Sequence, residues 1–343
     1  MTSKPRVFLM NNYPMNRALT RYLNGTYPGQ HLWGYGTLSD KFEWVIPEGI
    51  VNFSPSSHLL QMIRKATMKL VGDPIALIKT LVGIKSGDIL YAADQYSSIL
   101  FAFLPQWYRK RIRYIVLVHH FPSSRFMLWS LSRADIILVL SPEVLSKLSL
   151  KQPSFIRKLR LIPWGPNLDD IVYRRGRSNR DETIMFDFCC VGRTNRDYSG
   201  IRELAGDGQL DGVIADGTSV TYYREGVSET KQGTVGYEDV VKYIINSKCV
   251  IVPLKDRELL SGLTEVAAAL ALNTPILMSK VSFLPFDIQQ AHIGLWIDSN
   301  SANAIRSAIS KLAQFQFNRE IALKFNMGKF AEVLSASFTE YLN

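Results

Sequence analysis

Apolar residues along this chain follow two spacings that take turns. Short continuous runs, such as Val7-Phe8-Leu9-Met10 and Tyr114-Ile115-Val116-Leu117-Val118, predict strands buried on both faces of a parallel sheet. Further strands are predicted at Asp88–Ala92 and Ile136–Leu140. Between them apolar residues recur at helical spacing, giving helices at Asn16–Leu23, Ser97–Leu104, Phe126–Ser132 and Pro142–Leu148. Ser141 is placed to cap the last of these, with Pro142 at its first position. From Leu59 to Ile84 the helical spacing carries Lys and Arg, and Gly72-Asp73-Pro74 breaks it into two helices. Residues 27–58 show no clear period. A Pro/Gly-punctuated linker, Ile162–Asn167, and a polar stretch to Glu182 come next. A second series then begins, with strands at Phe186–Val191, Gly212–Ala215, Cys249–Pro253 and Pro275–Met278. Its helices are Gly200–Leu204, Tyr237–Asn246, Thr264–Leu272, Ala302–Ala313 and Arg319–Leu342. Two alternating series predict an α/β fold of two doubly wound, Rossmann-like domains facing a central cleft, where such sheets bind ligands.

The length of 343 residues suits two α/β domains, and 47% apolar with 20% charged residues is a globular composition. Charge changes the picture more. Residues 1–165 hold 21 Lys+Arg against 8 Asp+Glu, a net of +13. The rest hold 40 − 21 = 19 against 30 − 8 = 22, a net of −3. A basic half beside an acidic half predicts that the first domain faces an anionic partner. The acidic second half and the lack of any nucleic-acid module argue against nucleic acid. No apolar run reaches a membrane span, and the N-terminal run is too short for a secretory signal. Cys189, Cys190 and Cys249 sit in apolar strands without metal-ligand spacing and read as buried thiols of a reducing compartment. The expected location is cytoplasmic, on the inner face of the membrane. Arg64, Lys65, Lys69, Lys79 and Lys85 lie among apolar residues, and Gln106–Arg113 sets Trp107 and Tyr108 beside Arg109, Lys110, Arg111 and Arg113. Such segments suit an anionic membrane surface, or else form solvated helix faces.

Four segments carry a resemblance. They are Tyr114–Pro122 with His119-His120, Ala134–Ser141 followed by Leu161–Asp169, Cys190–Tyr198 with Gly192-Arg193, and Ser261–Pro275. Together they resemble the GT-B glycosyltransferases, and family 4 within them, as a divergent member. The resemblance implies an acceptor domain over 1–165, a nucleotide-sugar domain over 166–325, and a terminal helix, 326–343, packing back on the first. It implies a sugar transferred from a UDP- or GDP-linked donor to a glycan or lipid-linked acceptor. Gly192, Arg193, Arg196, Ser261, Gly262, Thr264 and Glu265 are then the donor-binding set. Arginine offers a planar fork to a leaving diphosphate, and a helix N-terminus adds backbone N–H groups. The family's later Lys is absent, and Arg196 is the substitute. Its glutamate pair is absent too, since Ala268 and Leu260 stand at those positions. Glu265 or Glu258 would then hold a ribose or sugar hydroxyl, or stand as a solvated carboxylate.

In the first domain His119 and His120 are candidates for hydrogen bonds to a sugar hydroxyl or the leaving phosphate, or are loop histidines without a role. Asp94 is the candidate base for the acceptor hydroxyl, with helix capping as the other reading. Asn11 and Asn12 end the first strand and either bind acceptor sugar or cap the next helix. The sequence has no Asp-x-Asp metal motif, P-loop or Gly-x-Ser-x-Gly elbow. Transfer without a metal or a cofactor beyond the nucleotide-sugar is the consistent expectation. A nucleotide-sugar epimerase or other GT-B enzyme, and a non-catalytic sugar-nucleotide-binding protein, are the alternatives.

Overall fold

A computed structural model describes residues 4–52, 57–97, 99–122, 124–179, 185–312 and 314–340. Parts of three expected features, the polar stretch to Glu182, the helix to Ala313 and the end of the last helix, fall outside these residues. So do the side chains of Lys65 and Lys69. The chain divides into two compact units. The first comprises 1–23, 29–164 and 327–343; the second comprises 24–28 and 165–326.

The first unit is a six-stranded, all-parallel sheet. Its strands are β1 (Arg6–Met10), β2 (Glu43–Val45), β3 (Ile89–Ala92), β4 (Arg113–Val118), β5 (Ile136–Val139) and β6 (Leu159–Leu161), in the order β2-β1-β3-β4-β5-β6. β1 lies between β2 and β3, with Phe8 opposite Leu90. The buried runs at β3, β4 and β5 explain why these segments read so clearly: nearly every side chain is out of water. The helices are α1 (Met15–Leu23), α2 (Tyr35–Leu38), α3 (His58–Val71), α4 (Pro74–Gly83), α5 (Gln106–Arg109), α6 (Arg125–Ser132) and α7 (Pro142–Lys151). Gly72, at φ 78°, ends α3, and Asp73 starts α4 by accepting from Ala76 N at 2.9 Å. Ser141 caps α7 in the same way, and Pro142 stands at its start. One expectation changes. Ser97–Leu104 forms no α-helix but a 3-10 turn at Ile99–Phe103, which buries Ile99, Phe101 and Ala102 in five residues.

The second unit is a seven-stranded sheet of order β10-β9-β8-β7-β11-β12-β13. It contains α8 (Ile171–Ser178), β7 (Phe188–Val191), α9 (Ser199–Gly206), β8 (Gly212–Ala215), β9 (Ser219–Arg224) and β10 (Val227–Gln232). Next come α10 (Tyr237–Ile245), β11 (Val250–Val252), α11 (Leu263–Leu272), β12 (Ile276–Ser279), β13 (Gly294–Ile297), α12 (Ala302–Leu312) and α13 (Ile321–Lys324). The central strands are parallel, and β8–β9–β10 form an antiparallel edge. Alternation along β7 fills two cores. Cys189 and Val191 face the α10–α11 side, while Phe188 and Cys190 face the α9–α12 side. All three cysteines are buried and unpaired. The predicted helix Arg319–Leu342 is two helices, α13 and α14 (Met327–Thr339), broken at Phe325, whose φ of −122° and ψ of 80° are not helical. α14 belongs to the first unit, where Phe330, Leu334 and Phe338 are buried. Among the described residues no helix is long and apolar enough to cross a membrane.

Candidate functional site

Each sheet reverses its winding at one place. In the second unit this is between β7 and β11, the position where open α/β sheets take ligands beyond their strand ends. β7 runs out into Gly192, whose φ of 139° suits glycine and whose N–H donates to Ala215 O at 3.0 Å. A β-carbon there would collide with the Glu265 carboxylate. Arg193 follows, exposed, with its stem lying over Gly217. Among the described residues nothing pairs with its guanidinium.

Arg196 behaves differently. It is 8% exposed, forms an ion pair with Glu265, and donates to Thr194 O at 2.6 Å and Ser261 Oγ at 3.0 Å. It thereby ties the loop after β7 to the start of α11. Asp197 N donating to Pro253 O and the paired amides of Asn195 and Asp256 knit in the loop after β11. The Nη groups of Arg196, expected to meet a diphosphate, are engaged here by protein oxygens. Only its Nε is left without an acceptor. Glu265, expected to hold a hydroxyl or to stand solvated, is buried and gives Oε1 to that ion pair.

α11 begins at Gly262, with φ 89°, and among the described residues no side chain caps it. Its first-turn N–H groups, from Leu263 to Glu265, have no intrahelical acceptor. Thr264 and Ser261 are half-buried beside them. The residue that sequence reading missed is Tyr198, whose hydroxyl donates to Gly192 O at 2.5 Å and fixes the loop under Arg193.

In the first unit the reversal lies between β1 and β3. Asn11 leaves β1 there, 7% exposed. Its Oδ1 accepts from Asn12 N at 2.7 Å, and its buried Nδ2 has no acceptor among the described residues. Asn12 is exposed. Asp94 leaves β3, 6% exposed, accepting from Tyr96 N at 2.8 Å. Burial pushes its carboxyl above the usual carboxylate range, with His119 and the Tyr96 and Ser97 amides opposing. His119 Nε2 lies 2.8 Å from Ala93 O and donates to it. Trp33 meets the His119 ring edge-on at 4.9 Å and donates to Tyr13 at 2.6 Å. Burial and the neighbouring His119 lower the pKa of His120.

Gln95 was missed by sequence reading and organises this cluster. Its Oε1 accepts from the backbone N–H groups of His119 and His120 at 3.0 and 3.2 Å, and its Nε2 donates to His120 O at 3.1 Å. The only sequence signal was its place beside Asp94. Among the described residues no group of three or more His, Cys, Asp or Glu could hold a metal ion.

No family model matches the sequence, and no curated protein does. Solved structures do match along the whole chain. A sucrose-phosphate synthase from Thermosynechococcus elongatus is 14% identical with a TM-score of 0.64, covering 99% of each chain. HepE from Anabaena, solved with UDP and glucose, is 11% identical with a TM-score of 0.58, covering 98% of this chain and all of its own. WaaG, a glycosyltransferase of lipopolysaccharide biosynthesis, is 11% identical with a TM-score of 0.52, over 97% of this chain and 99% of its own. With two Rossmann-like units matched from end to end, the chain has the GT-B fold of glycosyltransferases.

Proposed function

We propose that this protein transfers a glycosyl group from a UDP- or GDP-linked sugar to a glycan or lipid-linked acceptor presented at an anionic membrane surface. One observation carries the reading. An unpaired, exposed Arg193 stands at the winding reversal of the second unit, whose sheet end also carries the uncapped N-terminus of α11. A planar cation and free backbone N–H groups are what a leaving nucleoside diphosphate requires as its charge develops. HepE, of like fold, was solved with UDP and glucose.

The first unit supplies the acceptor chemistry. Asn11 Nδ2 is a free donor for an acceptor oxygen, and Asp94 is a buried carboxyl whose raised pKa suits a base. His119 and His120 border it. We read the reaction as metal-independent, because Arg193 and the helix end meet the diphosphate charge directly. The excess of 21 basic over 8 acidic residues in 1–165 supports the reading that this half faces the anionic inner surface of the cytoplasmic membrane.

The test is a thermal-shift panel of UDP-, GDP- and dTDP-sugars, followed by donor turnover with and without EDTA. Stabilisation by one nucleotide class and EDTA-resistant turnover are expected. No shift with any nucleotide would end the donor assignment, and abolition by EDTA would end metal independence. Release of an epimerised free sugar without acceptor would replace transfer by epimerisation.

A further inference from the structure

The first unit leaves an apolar surface uncovered. In α3, Leu59, Met62, Ile63, Ala66 and Leu70 recur at i, i+3, i+4, i+7 and i+11, one stripe of a helix. That stripe should be buried, yet Leu59 and Leu70 are each 66% exposed, and Met62 and Ile63 are more than half exposed. The element α3 chiefly packs against is the short turn Ile50–Asn52. α4 continues the pattern, with Ile78 at 61% and Val82 at 86% exposed. Tyr108 of α5 bonds Leu81 O of α4 at 3.3 Å, and its neighbour Trp107 is 62% exposed. The turn Ile99–Phe103 packs on both α4 and α6 and adds the exposed Phe103, 4.9 Å from the Trp129 ring.

Charge identifies what covers this surface. Across 57–87 the sole carboxylate is Asp73, which is buried as the cap of α4. From 97 to 133 no Asp or Glu occurs, against Arg109, Lys110, Arg111, Arg113, Arg125 and Arg133. Arg111 lies 5.4 Å over Trp107, and Arg133 lies 5.2 Å over Trp129. Beside them Lys110, Arg111 and Arg113 line a cavity of about 300 Å³ with Asp135, and Arg113 pairs with Glu340 at 3.6 Å. A second copy of the same face would set cations against cations. Apolar side chains flanked by cations and interfacial aromatics match the boundary of an anionic bilayer.

We propose that the α3–α4 face, with Phe103 and Trp107, inserts into the headgroup layer of an anionic lipid bilayer. The inference deepens the membrane half of the proposed function and rests on it. It is tested without donor or acceptor, so failure of docking and failure of transfer are read separately.

Full-length protein is floated with vesicles of phosphatidylcholine alone, and of two parts phosphatidylcholine to one part phosphatidylglycerol. Binding is expected on the mixed vesicles only, weakening as salt rises. Ile63→Glu with Leu70→Glu should lower vesicle affinity by about tenfold or more while donor-induced thermal shifts stay unchanged. Val82→Glu, at a position nearly free of protein contact, provides the second variant should the first fail to fold. Equal binding to neutral vesicles, binding to neither, or full retention by these variants would overturn the proposal. So would a wild-type dimer that the same substitutions convert to monomer.

Discussion

Replacing Arg193 and Arg196 one at a time separates two roles that neighbouring arginines share in sequence. Arg196 and Glu265 are 4% and 9% exposed at their side chains and form an ion pair. Removing one partner of such a buried pair strands the other, at a cost of about 3–5 kcal/mol. For a unit of this size, 1 kcal/mol moves the melting temperature by roughly 2–4 °C, so Arg196→Met should lower the transition of the second unit by roughly 6–20 °C. Arg196→Met combined with Glu265→Leu should recover part of that loss, since the stranded carboxylate is gone. Arg193 is exposed and has no partner among the described residues. Arg193→Ala should change stability by no more than about 0.5 kcal/mol. It should nevertheless cut turnover by roughly 10²–10³, the usual cost of losing one preorganised charge-stabilising donor. Differential scanning calorimetry and donor turnover on the same three proteins make the comparison. If Arg196→Met melts with the wild type and loses turnover, Arg196 belongs to the ligand and the structural assignment is wrong. Full turnover in Arg193→Ala would remove the diphosphate role from Arg193.

Two further outcomes concern the first unit. Gln95→Leu strips partners from two backbone N–H groups and one carbonyl of the His119–His120 turn. It should destabilise by about 2–3 kcal/mol and lower turnover with little change in donor affinity, read from kcat against KM; wild-type melting would refute the positioning role. Asp94 has a raised folded pKa, so the native state binds its proton more tightly than the unfolded chain. Its contribution to stability is therefore present at low pH and lost as pH rises through the folded pKa. Asp94→Asn, which keeps the oxygen that accepts from Tyr96 N, should raise the melting temperature at neutral pH and lose that advantage in acid. Turnover should collapse in the same variant, and a melting difference that does not vary with pH would contradict the buried-carboxyl reading.

What the sequence disclosed follows the physics of burial. Strands covered on both faces are continuous apolar runs, and β4, β5 and β8 were legible for that reason. β2 and β13 are short outer strands with half-buried side chains and leave no such run. β10 is exposed throughout and shows neither apolar content nor alternation. Its hairpin turns through Glu225 and Gly226, both at positive φ, and Glu-Gly is a weaker signal than Asn-Gly. α8 hides in a stretch read as polar linker because it carries three arginines and Gly176. That glycine is required where it is, since a β-carbon would strike Val241. The site was half legible. Gly192 and Gly262 do stand at the strand end and helix start. The Arg196–Glu265 pair spans 69 positions, and only the folded chain brings it together.

The loops after β7 and β11 need a fastening where they meet α11, and here a buried arginine and Glu265 supply it. Arg196 takes Oε1 of that carboxylate, and Oε2 keeps its acceptor capacity. The second unit therefore brings cationic and N–H groups to its winding reversal, with its nearest buried carboxylate already neutralised. The first unit brings the complement: an amide donor on Asn11 with no acceptor among the described residues, and a buried carboxyl on Asp94 held by backbone amides beside His119. Proton transfer needs a group whose pKa can move toward neutrality, and Asp94 is the buried carboxyl displaced in that direction. Leaving-group stabilisation needs a fixed positive charge, the role proposed for Arg193. In the proposed reaction the opposite net charges of the two halves have a counterpart in their chemistry, with acid–base work falling to the basic unit and phosphate work to the acidic one.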